Sequence, residues 1–185
     1  MLNDNNLKLK ERSMTESYKI EISPVDIEPY RAGNTGIPFV TTFDSGIDGP
    51  HVMVMAITHG NELCGAIAVD WLFKCEVRPK QGKLTLGFSN WRAYQNFDAE
   101  DPLASRFLEE DINRVWGNME LDGDQLTAEL ERARELRPII DEIDYLLDIH
   151  SMTAFCEPLV LSGPHRKGRD LARAVAIPEL SLIHI

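Results

Sequence analysis

Apolar positions fall into short runs whose period changes along the chain. Val52 to Ile57 (Val-Met-Val-Met-Ala-Ile) is continuously apolar over the length of one strand, as expected for a strand covered on both faces in the middle of a parallel sheet. The run stops at Thr58-His-Gly-Asn-Glu62, where Gly60 permits a tight turn. Leu63 to Phe73 then reads as a mostly apolar helix packed on the sheet. Before this unit, Tyr18 to Ser23 and Phe39 to Phe43 alternate as half-exposed strands, and the turn-rich Asp44 to Pro50 follows; the first three strands are expected to begin antiparallel. Lys83 to Ser89 predicts a further strand. Asp124 to about Arg137 predicts a helix capped by Asp124, with Leu126, Leu130 and Ala133 on one face and a solvated run of Glu and Arg opposite. Pro138 is expected to kink or restart it. Asp144 to His150 reads as another buried strand, Pro158 to Gly163 as a strand, Arg166 to Val175 as a helix, and Leu180 to Ile185 as the start of one more strand. Strands alternating with helices specify an α/β fold, a mixed, mainly parallel sheet with helices on both faces.

Composition adds bounds. Residues 1 to about 16 are polar and without apolar periodicity, and are expected to form a mobile tail; residues 17–185 are expected to form one domain. A hydrophobic content of 43% supports a sizeable core. Nineteen Lys and Arg against 30 Asp and Glu give a formal charge of -11, which argues against nucleic acid or an anionic membrane as partner. No run approaches the length of a membrane span, and the polar opening is unlike a signal peptide, so a soluble cytoplasmic protein is expected. Assembly into a homo-oligomer is compatible with these features. Cys64, Cys75 and Cys156 are too few and too widely spaced for a disulfide framework or a CxxC knuckle, and are expected to be buried or part-buried thiols.

The candidate chemistry sits at strand ends. His59 and Glu62 lie in a strand-to-helix loop at the carboxyl end of a strand, where open α/β sheets bind ligands. His150 ends a second strand, so the two imidazoles can converge at one sheet edge. Two His and one Glu, leaving one position open, are the composition of a catalytic zinc site; the alternative for each is an ordinary hydrogen-bonded loop residue. The stretch from Asn90 to Asp124 has little periodicity, and a loop of that length points to function. It contains Asp111-Ile-Asn-Arg114, with Arg106 shortly before. Arg106, Asn113 and Arg114 offer planar donors suited to an anionic substrate, and Asp111 can accept the free ring N–H of a ligating His. Surface ion pairing with Glu109 and Glu110 is the alternative for Arg106.

Thr58-His-Gly-Asn-Glu62, Asp111-Ile-Asn-Arg114 and Asp148-Ile-His150, in this order, resemble the succinylglutamate desuccinylase/aspartoacylase family of zinc carboxypeptidase-like hydrolases. The motifs span roughly residues 50 to 165. The resemblance implies that His59, Glu62 and His150 hold Zn2+, that Arg106, Asn113 and Arg114 bind substrate carboxylate, and that Arg106 and Arg114 also act in catalysis by polarising the scissile carbonyl. Asp111 matches the family's acidic position beside the Asn-Arg pair. Asn90-Trp-Arg-Ala is close to the family's Asn-Pro-x-Ala, with Trp91 in place of Pro. The implied activity is hydrolysis of the amide of a small anionic N-acyl amino acid; the alternatives are a metallocarboxypeptidase and an inactive zinc- or ligand-binding fragment. The family's general-base glutamate, well downstream of the third ligand, and its C-terminal β-rich domain have no counterpart here, since Glu157 and Glu179 lie too near His150. The domain at residues 17–185 is therefore expected to be an incomplete, C-terminally truncated catalytic domain.

Overall fold

The apolar run at Val52 forms the second of four strands in one sheet: β1 (Val40–Asp44), β2 (His51–Ala56), β3 (Lys83–Phe88) and β4 (Tyr145–Ile149), in the order β1-β3-β2-β4. The computed structural model describes residues 20–152, 156–163, 165–175 and 179–181, and the tail expected over residues 1–16 lies outside them. β2 runs parallel to β3 and to β4, and β1 runs antiparallel to β3. The mixed, mainly parallel α/β sheet expected from the pattern is present. Its antiparallel start differs in detail: residues 20–23 are not a strand, 18 and 19 lie outside the described residues, and β1 pairs with β3 rather than with β2. Pairing is a long-range choice that alternation along one segment does not encode.

Side chains of β2 and β3 leave the sheet alternately, and each face meets a helix. Ala56, Leu86 and Phe88 pack with Leu63, Ala66 and Val69 of α1 (Leu63–Lys74), whereas Met53 and Met55 pack with Leu136 and Ile139 of a later helix. Burial of each large side chain on these faces is worth about 1.5–3 kcal/mol, and two covered faces make β2 central. Gly65 lets α1 approach: a Cβ there would lie 2.9 Å from Ala56 Cβ and 2.9 Å from the Ile149 carbonyl oxygen.

The stretch after β3 carries short elements that apolar period does not reveal: α2 (Trp91–Gln95), single 3-10 turns at Pro102–Ser105 and Ile112–Arg114, and α3 (Asn118–Leu121). α4 (Ala128–Glu142) starts later than expected. Thr127, not Asp124, is its cap, accepting the Leu130 N–H at 3.1 Å, and Leu126 precedes the helix and is 75% exposed. Pro138 lies inside α4 without ending it. Packing of Leu136 and Ile139 on Met53 and Met55, on either side of the proline, outweighs the one backbone hydrogen bond that Pro138 cannot make.

The charged run of α4 is not simply a solvated face: Glu129 and Arg132 are fully buried. Arg132 Nε donates to the Ser89 carbonyl at 2.7 Å, Nη2 to those of Phe88 at 2.9 Å and Pro38 at 3.0 Å, and Nη1 pairs with Glu135 at 2.8 Å. A guanidinium thus satisfies carbonyls at the carboxyl end of β3. Buried charge is tolerated where every donor finds an acceptor.

β4 also departs from expectation. Among the described residues it pairs with β2 alone and forms an edge, with Leu146 38% and Leu147 42% exposed. Its apolar sequence records a capacity for burial, while the neighbours that would cover it are a matter of topology. The described residues from 152 onward form a separate unit, in which β5 (Leu159–Leu161) and β6 (Glu179–Ser181) are parallel and α5 (Arg166–Val175) lies between them in the chain. The end of the strand expected to Ile185 lies outside the described residues. Cys64, Cys75 and Cys156 are free thiols, as expected, but exposed rather than buried. Among the described residues, no helix is long and apolar enough to cross a membrane.

Candidate metal centre

The parallel pairing of β2 with β4 brings the site together. Ala56 is in register with Ile149, so the residues that follow, Thr58-His59 on one side and His150 on the other, emerge at the same sheet end. Ile57 turns the chain out of the sheet with φ +53°, fully buried. A β-branched residue in the left-handed region costs about 1–2 kcal/mol, a strain held in place by the packing around it. Gly60, expected to serve the turn through its backbone freedom, serves it through its size. It is not in the left-handed region, but a Cβ there would lie 2.3 Å from the Ser105 carbonyl oxygen and 2.4 Å from the Ala93 carbonyl carbon. Its N–H donates to the Arg106 carbonyl at 3.0 Å, so the His59 turn, α2 and the loop at Arg106 are in contact at this point.

Glu62 stands at the start of α1 and is the focus of the site. His59 Nδ1 and His150 Nδ1 both lie 3.0 Å from Glu62 Oε1, and the His59 N–H donates to Oε2 at 3.1 Å. One ligand atom from each of His59, Glu62 and His150 lies within 4.8 Å of the others. The far side of each ring meets a carboxylate. His59 Nε2 is 3.0 Å from Asp111 Oδ1, and His150 Nε2 is 2.7 Å from Asp148 Oδ2, which also accepts the Thr58 hydroxyl at 2.8 Å.

This arrangement sets the charges. Burial pushes the Glu62 carboxyl up, but hydrogen bonds from His150 and His59 and the charge of His150 outweigh it and hold the group at about 2. Burial pushes His150 down, whereas its bonds to Asp148 and Glu62 raise it to about 10. Asp111 is lowered, because the bonds from His59, the Asn113 amide and Arg106 exceed the opposing effect of burial. The donor set fits a metal: two imidazoles and one carboxylate converge, and each imidazole is oriented by a carboxylate behind it, as ligating histidines are. With Nδ1 given to a metal, the proton of His59 stays on Nε2 and points at Asp111.

The succinylglutamate desuccinylase/aspartoacylase catalytic domain, as a family model, matches residues 48–183. The chain belongs to this family. Its fold is similar to that of an aspartoacylase family protein from Mesorhizobium loti (TM-score 0.57, 24% identity), covering 76% of this chain and 43% of that one. A succinylglutamate desuccinylase/aspartoacylase from Rhodobacter sphaeroides gives 0.55 at 24% identity, covering 83% and 45%. A single-site variant of murine aminoacylase 3 gives 0.58 at 23% identity, covering 75% and 49%. At these identities the likeness concerns the fold, and the chain spans less than half the length of each of these structures. No curated protein sequence matches significantly. Proteins of this desuccinylase/aspartoacylase family are deacylases, a class of hydrolase.

Of the family-motif residues, His59, Glu62 and His150 are in mutual contact, Asp111 joins them through His59, and Arg106 lies beside Asp111 and His59. Its Nη2 lies 2.9 Å from His59 Nε2 and donates to Asp111 Oδ2 at 3.3 Å, with the side chain 29% exposed. Arg106 is thus engaged with the site rather than with Glu109 or Glu110. Asn113 donates its backbone N–H to Asp111 Oδ1 at 2.9 Å, while its side chain and that of Arg114 are exposed on the adjoining turn; Arg114 Nη1 donates to the Asn113 carbonyl at 3.2 Å. Three contributors escape sequence reasoning. Asp148 precedes His150 by two residues, so strand alternation places both on one face, a signal open to use. Thr58 opens the motif Thr58-His-Gly-Asn-Glu62, which gave it no role of its own. Glu129 accepts four N–H groups from the loop before Asp111 and from Asn90, and its place in an apparently solvated charge run conceals it.

Proposed function

We propose that this chain carries the metal centre of a zinc-dependent hydrolase that cleaves the amide of a small anionic N-acyl amino acid. The observation that supports this reading is the convergence of His59 and His150 on one oxygen of Glu62, with Asp111 and Asp148 behind the rings. His59, Glu62 and His150 would hold the ion, which when bound supplies a Lewis acid that polarises a carbonyl and brings the pKa of water towards neutrality. Asp111 and Asp148 fix the tautomers of the two rings by accepting from Nε2. Arg106 gives one nitrogen to Asp111, so its remaining N–H groups, with those of Asn113 and Arg114, are available to a substrate carboxylate or to a developing oxyanion.

Glu62, Asp111 and Asp148 are each engaged with an imidazole, which favours a second reading in which this chain binds zinc without turning over substrate. Zinc stoichiometry and hydrolysis of a panel of N-acyl amino acids, beside peptides with free C-termini, test both. One zinc per chain, lost in His150→Ala, with turnover of N-acyl amino acids, is the expected result. Zinc without turnover leaves the second reading; preferential cleavage of peptides makes the chain a carboxypeptidase. Zinc content unchanged in His150→Ala refutes the ligand assignment.

A further inference from the structure

We infer that Glu129 is a positioning residue of the metal centre: through a backbone arch it sets Asp111 and Arg106 against His59. The inference rests on the proposed metal site for its functional meaning, but its geometry is independent of any ion. The Glu129 side chain is fully buried in the first turn of α4, and each of its oxygens accepts two hydrogen bonds. Oε1 accepts the Leu108 N–H at 2.7 Å and the Asn90 side-chain N–H at 3.0 Å; Oε2 accepts the N–H of Glu109 at 3.1 Å and of Glu110 at 3.3 Å. Three consecutive backbone amides and one side-chain amide need an acceptor with two oxygens and no proton of its own, which a carboxylate provides and an amide or hydroxyl does not.

The arch that these amides belong to touches the His59 turn at both ends. At one end the Arg106 carbonyl accepts from Gly60, and the Arg106 guanidinium reaches His59 Nε2. At the other, Asp111 Oδ1 meets His59 Nε2. Between these ends the segment is suspended from Glu129. The clasp is reciprocal, since the Glu109 carboxylate accepts the Ala128 N–H at the start of α4 and the Glu110 carboxylate accepts the Thr127 hydroxyl. Asn90 ties in the end of β3: its Oδ1 accepts the Ala93 N–H while its amide nitrogen donates to Glu129. The carboxylate therefore joins α4, the strand end and the arch at one point. Glu129 meets no ligand itself and acts through Asp111 and Arg106, whose placement decides the proton position and orientation of His59.

The test is Glu129→Gln, which keeps the volume but turns one acceptor into an NH2 group facing backbone N–H donors. Two readouts are measured: hydrogen exchange of the Leu108, Glu109 and Glu110 amides in the metal-free protein, and zinc affinity by chelator competition. The expected results are an approximately tenfold or larger loss of protection confined to the arch, and zinc binding weakened by about 10–100-fold. Leu136→Ala is the control. Leu136 is buried seven residues further along α4 and packs with Val40, Met53 and Met55 of the sheet, so its loss should lower stability yet leave zinc affinity within about threefold of the unaltered chain. If Glu129→Gln does not fold, Glu129→Asp, which keeps both acceptors on a shorter arm, is expected to fold and to weaken zinc binding. Unaltered arch exchange or unaltered zinc affinity in the folded Glu129 variant overturns the inference, as does an equal zinc loss in Leu136→Ala. Absence of zinc binding by the unaltered chain would overturn the metal site and, with it, the functional role of Glu129, while the exchange data would still report the clasp.

Discussion

Gly60→Ala is a sensitive probe of how the site is held. A Cβ at Gly60 would stand 2.3 Å from the Ser105 carbonyl oxygen, 2.4 Å from the Ala93 carbonyl carbon and 2.6 Å from the Tyr94 nitrogen, where an ordinary contact is 3.4 Å or more. The shortfall is roughly 1 Å, and every obstructing atom is backbone, so no rotamer change relieves it. The turn carrying His59 and Glu62 must separate from α2 and from the loop carrying Arg106, which strains the Gly60 N–H bond to the Arg106 carbonyl. Overpacking costs about 1–3 kcal/mol, and contact with fixed backbone places this change near the upper end. At about 2–4 °C per kcal/mol for a chain of this length, Tm should fall by roughly 6–12 °C. Because the displaced residues include the proposed ligands, zinc affinity should fall by at least about tenfold even under conditions where the variant remains folded. Thermal unfolding of the metal-free chain and a chelator competition titration read the two effects. A Gly60→Ala chain within about 0.5 kcal/mol of the unaltered protein, with unaltered zinc affinity, would refute the close approach of the turn to α2 and to the Arg106 loop.

Three further outcomes are expected. Asp148→Asn weakens the acceptor behind His150 and should reduce zinc affinity about 10–100-fold; unchanged affinity by competition titration would remove Asp148 from the site. Arg132→Met leaves the Pro38, Phe88 and Ser89 carbonyls without their donor and should cost on the order of 3 kcal/mol or more in urea unfolding, against a negligible loss if the arginine were merely a surface charge. At high pH, burial holds Tyr94 and Tyr30 up at about 12, Tyr30 with added help from its bond to Asp70. Below pH 10 both tyrosines are neutral whether the chain is folded or not, and their contribution is intact. Between pH 10 and about 12 the unfolded chain ionises first and stability falls. Tyr94→Phe should flatten that decline in denaturant titrations across the range, and an identical slope would contradict the assignment.

The sequence alone determined those features whose causes are local. An apolar run of strand length followed by a His, a Gly and a Glu and then a helix specifies β2, the turn and α1, because strand and helix periods are properties of contiguous residues. Strand ends indicated His59, Glu62 and His150 as a group, since residues at the carboxyl ends of parallel strands share one sheet edge whatever the details of packing, and the motif resemblance added Asp111 from the loop. The tertiary structure decided everything that depends on a partner distant in the chain. It paired β1 with β3, left β4 at an edge among the described residues, and carried α4 through Pro138 because the sheet face offered Met53 and Met55 to pack against. It also turned Arg106 onto His59 and buried Glu129 and Arg132 out of a run of charges that looks solvated in one dimension. A charged side chain is identified as buried only when its partners are known, and those of Glu129 and Arg132 are chiefly backbone groups on other elements. Backbone amides and carbonyls are the same in every residue, so no sequence pattern announces them.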